Sequence, residues 1–203
     1  MRTLLYRMTH IKNIPHILSN GVTHSSSPRS NPDYVSIGDS TIIYKRTNRL
    51  LQNGKLLGSY IPFYFGYRMP MLFVIQNGLS NVNPTAPDDI VYCITSVEKI
   101  IEHGLPYIFT NGHAVDGLTE LFGINEIDYL QDIIDKQAIS AKYWKDENDL
   151  DLKRRKEAEF LVEADIPITA ILGYVVFNSI AKNNLLTLGI NQNKVIAKPN
   201  YYF

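Results

Sequence analysis

Short apolar runs alternate with polar stretches along the whole chain, and they predict a mixture of short strands and short helices. Leu4-Leu5-Tyr6-Arg7-Met8-Thr9-His10 reads as a strand. Residues 13–21 then read as a two-turn helix. Asn13 is its N-cap, Pro15 is tolerated in the first turn, Ile14, Ile17 and Leu18 form the apolar stripe, and Gly21 closes it. Residues 23–38 are rich in Ser, Pro and Asn and predict a surface loop. A loop of that length inside a compact domain is more often functional than not. A second helix is predicted over Ser40–Gln52.

Further on, the aromatic and β-branched segments Tyr60–Phe65 and Leu72–Ile75 predict strands. Two more fall at Ile90–Thr95 and Tyr107–Phe109, with a helix at Val97–Glu102 between them. His113–Leu121 and Glu126–Asp135 predict acidic helices, and Ala141–Leu150 a polar loop. The basic block Lys153-Arg154-Arg155-Lys156 precedes a strand at Ala158–Ala164. A β-rich run at Ile171–Phe177, a helix near 178–187 and a strand at Lys194–Ala197 complete the pattern. There is no regular βαβ alternation and no repeat of 20–50 residues. An α+β fold in one domain spanning 1–203 follows.

Composition narrows the function classes. With 45% hydrophobic and 20% charged residues in 203, the chain can bury a core and is not disordered. The single cysteine, Cys93, excludes a disulfide framework and a Cys-rich zinc site, and fits a reducing compartment. No apolar run approaches the ~20 residues of a membrane span, and the first ten residues are too polar for a secretory signal. The expectation is a cytoplasmic protein with no membrane partner. The five histidines lack metal-ligand spacing, so no metal is expected. Phosphate-loop, dinucleotide-fingerprint, zincin and hydrolase-elbow motifs are absent.

A formal net charge of zero conceals strong segregation. Residues 1–70 hold nine Lys/Arg and two acids, and residues 85–151 hold 14 acids and four bases. Residues 152–203 carry a net +3. Such asymmetry is compatible with a polyanion site on one face, with the acidic stretch on the far side or limiting non-specific duplex binding.

Several side chains are candidates for chemistry. Glu159 and Glu163 fall on one face of their strand, with Phe160 and Val162 on the other. Glu159 fits a general base or a group orienting a sugar hydroxyl, and it equally fits an exposed strand face paired with Lys/Arg neighbours. Arg46, beside Lys45 and Arg49, fits a phosphate clamp or a solvated helix face. His10 and Asn13 stand at a strand-to-helix junction suited to an anion or amide, or to a core histidine and a plain cap. Among the aromatic residues 60–67, Tyr64, with Arg68 and Met71 nearby, suits base stacking, while alternation sends half of the rings to the core. His113 follows a strand and a glycine turn, a place for a working side chain or a cap.

In order along the chain, these stretches resemble the DarT family. The matching segments are Tyr6–Ile14, Lys45-Arg46, Tyr60–Leu72, Phe109–Ala114, Arg154–Val162 and Pro199–Phe203. The specific ones are Pro62-Phe63-Tyr64-Phe65 with Arg68-Met69-Pro70-Met71-Leu72, and Arg154-Arg155 with Ala158-Glu159-Phe160-Leu161-Val162. Arg7 stands where many members have His, and Tyr202 where many have Trp.

The resemblance implies an ADP-ribosyltransferase-like fold: two packed, roughly perpendicular β-sheets with surrounding helices and an NAD cleft. It also explains how an NAD-using enzyme lacks the dinucleotide fingerprint. The implied activity belongs to a bacterial toxin of a toxin–antitoxin system. Such a toxin transfers ADP-ribose from NAD to a base of single-stranded DNA, thymidine in some members and guanosine in others, and releases nicotinamide; thymidine is the favoured reading here. The implied antitoxin is a macrodomain-type ADP-ribosyl glycohydrolase. Glu159 would stabilise positive charge on the ribose and accept a proton, in the manner of glycoside cleavage. Arg46 would hold a phosphate or the acceptor side, and His10 and Asn13 the nicotinamide–ribose end. His113, Tyr64, Arg68 and Met71 would frame the entering base, and Arg154 and Arg155 would meet DNA phosphates. The alternatives are a metal-independent ribonuclease-like toxin using His113 and Glu159, and a non-catalytic nucleic-acid-binding module.

Overall fold

A computed structural model describes residues 2–203. Its strands are β1 (Leu4–His10), β2 (Ile61–Tyr64), β3 (Ile90–Ser96), β4 (Tyr107–Thr110), β5 (Leu121–Phe122), β6 (Glu159–Val162), β7 (Gly173–Val176) and β8 (Val195–Ala197). The helices are α1 (Ile14–Asn20), α2 (Ser40–Asn48), α3 (Pro70–Asn77), α4 (Val97–Glu102), α5 (Leu130–Ile133), α6 (Lys136–Ser140), α7 (Leu152–Lys156) and α8 (Ser179–Thr187). Between them run short 3-10 turns, including Ile124–Tyr129 just before α5.

The strands join in one hydrogen-bonded order, β5-β4-β6-β2-β1-β3-β7-β8. All neighbours are antiparallel except β7 and β8. The two sheets expected from the sequence are thus two four-stranded halves of a single ladder. Among the described residues, one register pair, Tyr6 opposite Tyr64, holds the halves together. Tyr64 is in turn opposite Glu159, so the seam leads directly onto that glutamate. Pro62 has no N–H to give to a ladder, but its carbonyl accepts from Arg7 Nη1 at 3.0 Å. Arg7 therefore reinforces the seam.

Apolar side chains bury both faces. In β3 all seven residues are buried. Val91 and Cys93 join the core beneath α1, α4 and α8, whereas Ile90, Tyr92 and Ile94 join a second core with Leu72 and Ile75 of α3 and with Tyr202. A strand buried on both faces reads as a continuous apolar run, as β3 does. The Tyr202 hydroxyl lies 3.0 and 3.1 Å from the carbonyls of Ile90 and Val175, which places its polar end against the strand backbone.

Two expectations fail. Leu72–Ile75 is helical, not extended. Pro70 opens α3 at a position that needs no N–H partner, Leu72 and Ile75 share its buried face, and Gly78 closes it at φ 61°. A four-residue apolar run does not by itself separate strand from helix. His113–Leu121, in turn, forms turns and no helix. Thr110 Oγ1 donates to Gly112 O, the Asp116 carboxylate accepts from Leu118 N, and Leu121 enters β5 opposite Thr110. Local side-chain bonds compete with the helical ladder in this segment.

Candidate active site

Glu159 opens β6 at the floor of a cleft of about 410 Å³. Its side chain is 1% exposed. Burying a carboxylate this completely is costly unless it is paired and hydrogen-bonded, and here both oxygens have partners. Oε2 accepts from Arg46 Nη1 at 2.7 Å, and Oε1 accepts from the Ala114 N–H at 2.9 Å. His113 Nε2 lies 4.0 Å from Oε1. The strand start itself is fixed by the Glu159 N–H donating to Thr110 Oγ1 at 3.0 Å.

Arg46 reaches the floor from the last turn of α2. Asp39 caps this helix, its Oδ1 accepting from the N–H groups of Thr41 and Ile42. The helix buries none of its own side chains and instead presents Ile42, Ile43, Arg46 and Thr47 to the cleft. Gly58 lets the following chain approach closely: a Cβ there would sit 2.7 Å from Thr47 Cα. Arg46 Nη2 is buried and has no hydrogen-bond partner among the described residues. That amino group is a buried, unpartnered donor on a side chain that lines the cleft, an arrangement a bound oxygen acceptor would complete.

The long 23–38 loop forms another wall. His24 ties it down through Nε2, 2.7 Å from Gly58 O, and through its N–H to Asp165. From the sheet come Arg7, Met8, Ile61, Pro62 and Tyr64, from the residue before β2 Tyr60, and from α3 Met71 and Ile75. Burial, with the carboxylates of Glu159 and Glu157 close by, pushes the Tyr64 phenol well above its ordinary range and keeps it neutral. Glu157, buried two residues before Glu159, is likewise raised by burial, against the opposing pull of His113 and Lys153.

Of the residues singled out from sequence, Glu159, Arg46, His113, Tyr64 and Met71 line this cleft, and the others do not. Asn13 is 1% exposed and is spent on the loop. Its Nδ2 donates to Thr9 Oγ1 and Val35 O, and its Oδ1 accepts from Val35 N–H. His10 caps the next turn through Nδ1 and borders an adjoining cavity behind Val35–Gly38. Arg68, at φ 54°, lays its guanidinium 4.4 Å from the Phe203 ring centroid.

Arg154 and Arg155 are held internally. Arg154 binds both oxygens of Asp151 and reaches Asn111 and Thr119. Arg155 pairs with Asp135, Asp149 and Asp151. The acidic segment therefore supplies counter-ions to this basic block, rather than standing apart from it on a far side. Arg49 and the Ala114 amide were not singled out for a role. A backbone amide carries no side-chain signal in a sequence, and Arg49 is visible only as one more positive charge on α2.

Comparison with solved structures defines the class. The chain superposes on Thermus sp. 2.9 DarT in complex with ADP-ribosylated single-stranded DNA with a TM-score of 0.83, at 28% identity, over 99% of this chain and 96% of that one. The same Thermus protein in complex with NAD+ gives a TM-score of 0.79 at 28% identity, covering 99% and 98%. The fold is thus the α+β, ADP-ribosyltransferase-like one. A family profile described as DarT, ssDNA thymidine ADP-ribosyltransferase, matches residues 6–203, and the chain belongs to the DarT family. Among curated relatives, a DNA ADP-ribosyl transferase of Thermus sp. (strain 2.9) is 32% identical over 87% of this chain and 82% of its own length. A DNA ADP-ribosyl transferase–DNA ADP-ribosyl glycohydrolase fusion protein of Thermosipho africanus is 30% identical over 98% of this chain but 49% of its own.

Proposed function

We propose that this chain transfers ADP-ribose from NAD to a base of single-stranded DNA, thymidine first, and that Glu159 is the catalytic carboxylate. The observation that carries the roles is the buried pair at the cleft floor, with Glu159 held at both oxygens and Arg46 left with one unpartnered donor. That donor fits NAD, whose ribose hydroxyls and phosphates are acceptors. When bound, NAD supplies the ADP-ribosyl group, and positive charge develops on its ribose as the bond to nicotinamide breaks.

The chain's part follows from its geometry. Glu159 places negative charge at the floor of a shielded cleft, where electrostatic stabilisation is strongest, and it offers an oxygen to take the proton of the attacking base nitrogen. Arg46 and the Ala114 amide fix the direction of that oxygen before substrate arrives. His113 stands on the Oε1 side of the same carboxylate, and Tyr64 and Met71 form the wall against which an extruded base would rest. Asn13 serves by pinning the loop wall at Val35.

Label from NAD appearing on an intact oligonucleotide tests the activity, and mass spectrometry of the product identifies the base. A shortened strand instead would indicate a nuclease. The Thermosipho protein is named as a fusion with a DNA ADP-ribosyl glycohydrolase, which supports a separate partner of that kind as the antitoxin here. Among the described residues no helix is long and apolar enough to cross a membrane, and Cys93 is a buried free thiol. The free thiol fits a toxin of the reducing cytoplasm.

A further inference from the structure

The Glu159 carboxylate is gripped from two sides, and both grips lead back to the end of α2. Arg46, in the last turn, holds Oε2 directly. Arg49, at the C-cap three residues on, reaches across to the loop that holds Oε1. Its Nη1 donates to Val115 O at 2.6 Å and its Nη2 to Asp116 O at 3.0 Å. These two carbonyls directly follow Ala114, the residue whose N–H binds the carboxylate. On its other side the loop is tied down by the His113 N–H donating to Arg154 O at 2.9 Å. The loop is thus fixed from α7 on one flank and from α2 on the other, with the Ala114 amide between.

No side chain of α2 is fully buried, and the Arg49 fork is a bidentate polar link from its end to the 113–116 loop. Two N–H donors on a planar guanidinium fix the orientation of the peptide groups they meet, which a point-charge ammonium does less well. We propose that Arg49 is a positioning residue for the transfer reaction. Its guanidinium sets the 113–116 loop, so that the Ala114 amide and His113 keep Glu159 aimed into the cleft. This rests on Glu159 being the catalytic carboxylate.

The test is steady-state transfer to a single-stranded oligonucleotide, with NAD varied, for Arg49→Ala, Arg49→Lys and Glu159→Gln, alongside thermal unfolding of each variant. Loss of positioning without loss of binding lowers kcat by about 10–100-fold and changes the KM for NAD by less than about threefold. Arg49→Lys should recover part of kcat, with its unfolding temperature unchanged. An unchanged kcat in Arg49→Ala overturns the assignment. So does a defect confined to KM that saturating NAD erases, since Arg49 would then only seat α2 against substrate. If Arg49→Ala fails to fold, Arg49→Lys decides: wild-type kcat in that variant overturns the fork's role. Full activity in Glu159→Gln would remove the underlying catalytic reading. An inactive Glu159→Gln beside a fully active Arg49→Ala removes only the Arg49 assignment.

Discussion

Two basic clusters, one ending α2 and one forming α7, differ in what they leave unpaired. In α7 all four consecutive cations are engaged within the chain. Lys153 lies 3.7 Å from Glu157, Arg154 pairs with Asp151, Arg155 pairs with Asp135, Asp149 and Asp151, and Lys156 donates to Ile139 O and Ala141 O. At the end of α2, Lys45 is exposed, Arg49 grips a loop, and Arg46 gives one amino group to Glu159 while the other stays buried without a partner. The denser run of charge is paired within the chain, and from the sparser one Arg46 reaches the cleft. The density of positive charge along a sequence therefore does not by itself locate a site.

That contrast can be broken in several ways. Glu159→Gln keeps the size of the side chain while removing the negative charge and the proton acceptor. Transfer should fall by about 10²–10⁴-fold, the range for a general acid–base group, with folding retained by thermal denaturation. Arg46→Lys keeps a charge but loses the second amino group, and about a 10²-fold loss in kcat/KM for NAD is expected, since a misplaced contact costs that much. Were Arg46→Lys fully active, the leftover donor would not mark the site.

For the α7 cluster the expectation is the reverse. Arg155→Ala should cost about 2 kcal/mol of stability in denaturant unfolding, the scale of charge-assisted hydrogen bonds. It should leave the salt dependence of oligonucleotide binding unchanged. A fall of about 0.7 in the logarithmic salt slope would reveal a phosphate contact at Arg155 and end the distinction between the clusters.

A further expectation concerns Lys156, which is 1% exposed. Burial, and then the nearby Arg68, bring its ammonium down from 10.5 to about 8. Between those values the unfolded chain binds a proton that the folded chain does not, so stability rises as pH increases from about 8 to about 10.5. Lys156→Met should abolish that rise. Chemical denaturation at pH 7, 8.5 and 10 measures it, and an identical pH dependence in the two proteins would show that burial does not penalise this ammonium.

Much of the scaffold was legible. The Val97–Glu102 helix matches, and strands β1, β3, β4, β7 and β8 fall within a residue or two of their expected bounds. Alternation places Phe160 and Val162 in the main core, with Leu161 in a separate cluster on the other side. The failures share a contribution from distant contacts, added to the local ones. At Leu72–Ile75 and His113–Leu121 part of the outcome rests on contacts made elsewhere: α3 packs on β3, and the 113–119 turn hangs from Arg154 and Arg49. Local pattern has no access to either.

The family, the strand alternation and the isolation of Glu159 among apolar residues were written in the chain itself, because side-chain period and motif order are properties of neighbours in sequence. Whether Glu159 lay on a solvated face or on the floor of a cleft was decided only by folding. Arg46 stands 113 residues away from it along the chain, and the Ala114 amide 45. Glu163 stands on the same expected strand face and is left partly exposed, pairing with Lys55 instead. Two acids four residues apart acquire opposite environments because burial depends on which distant segments close over each.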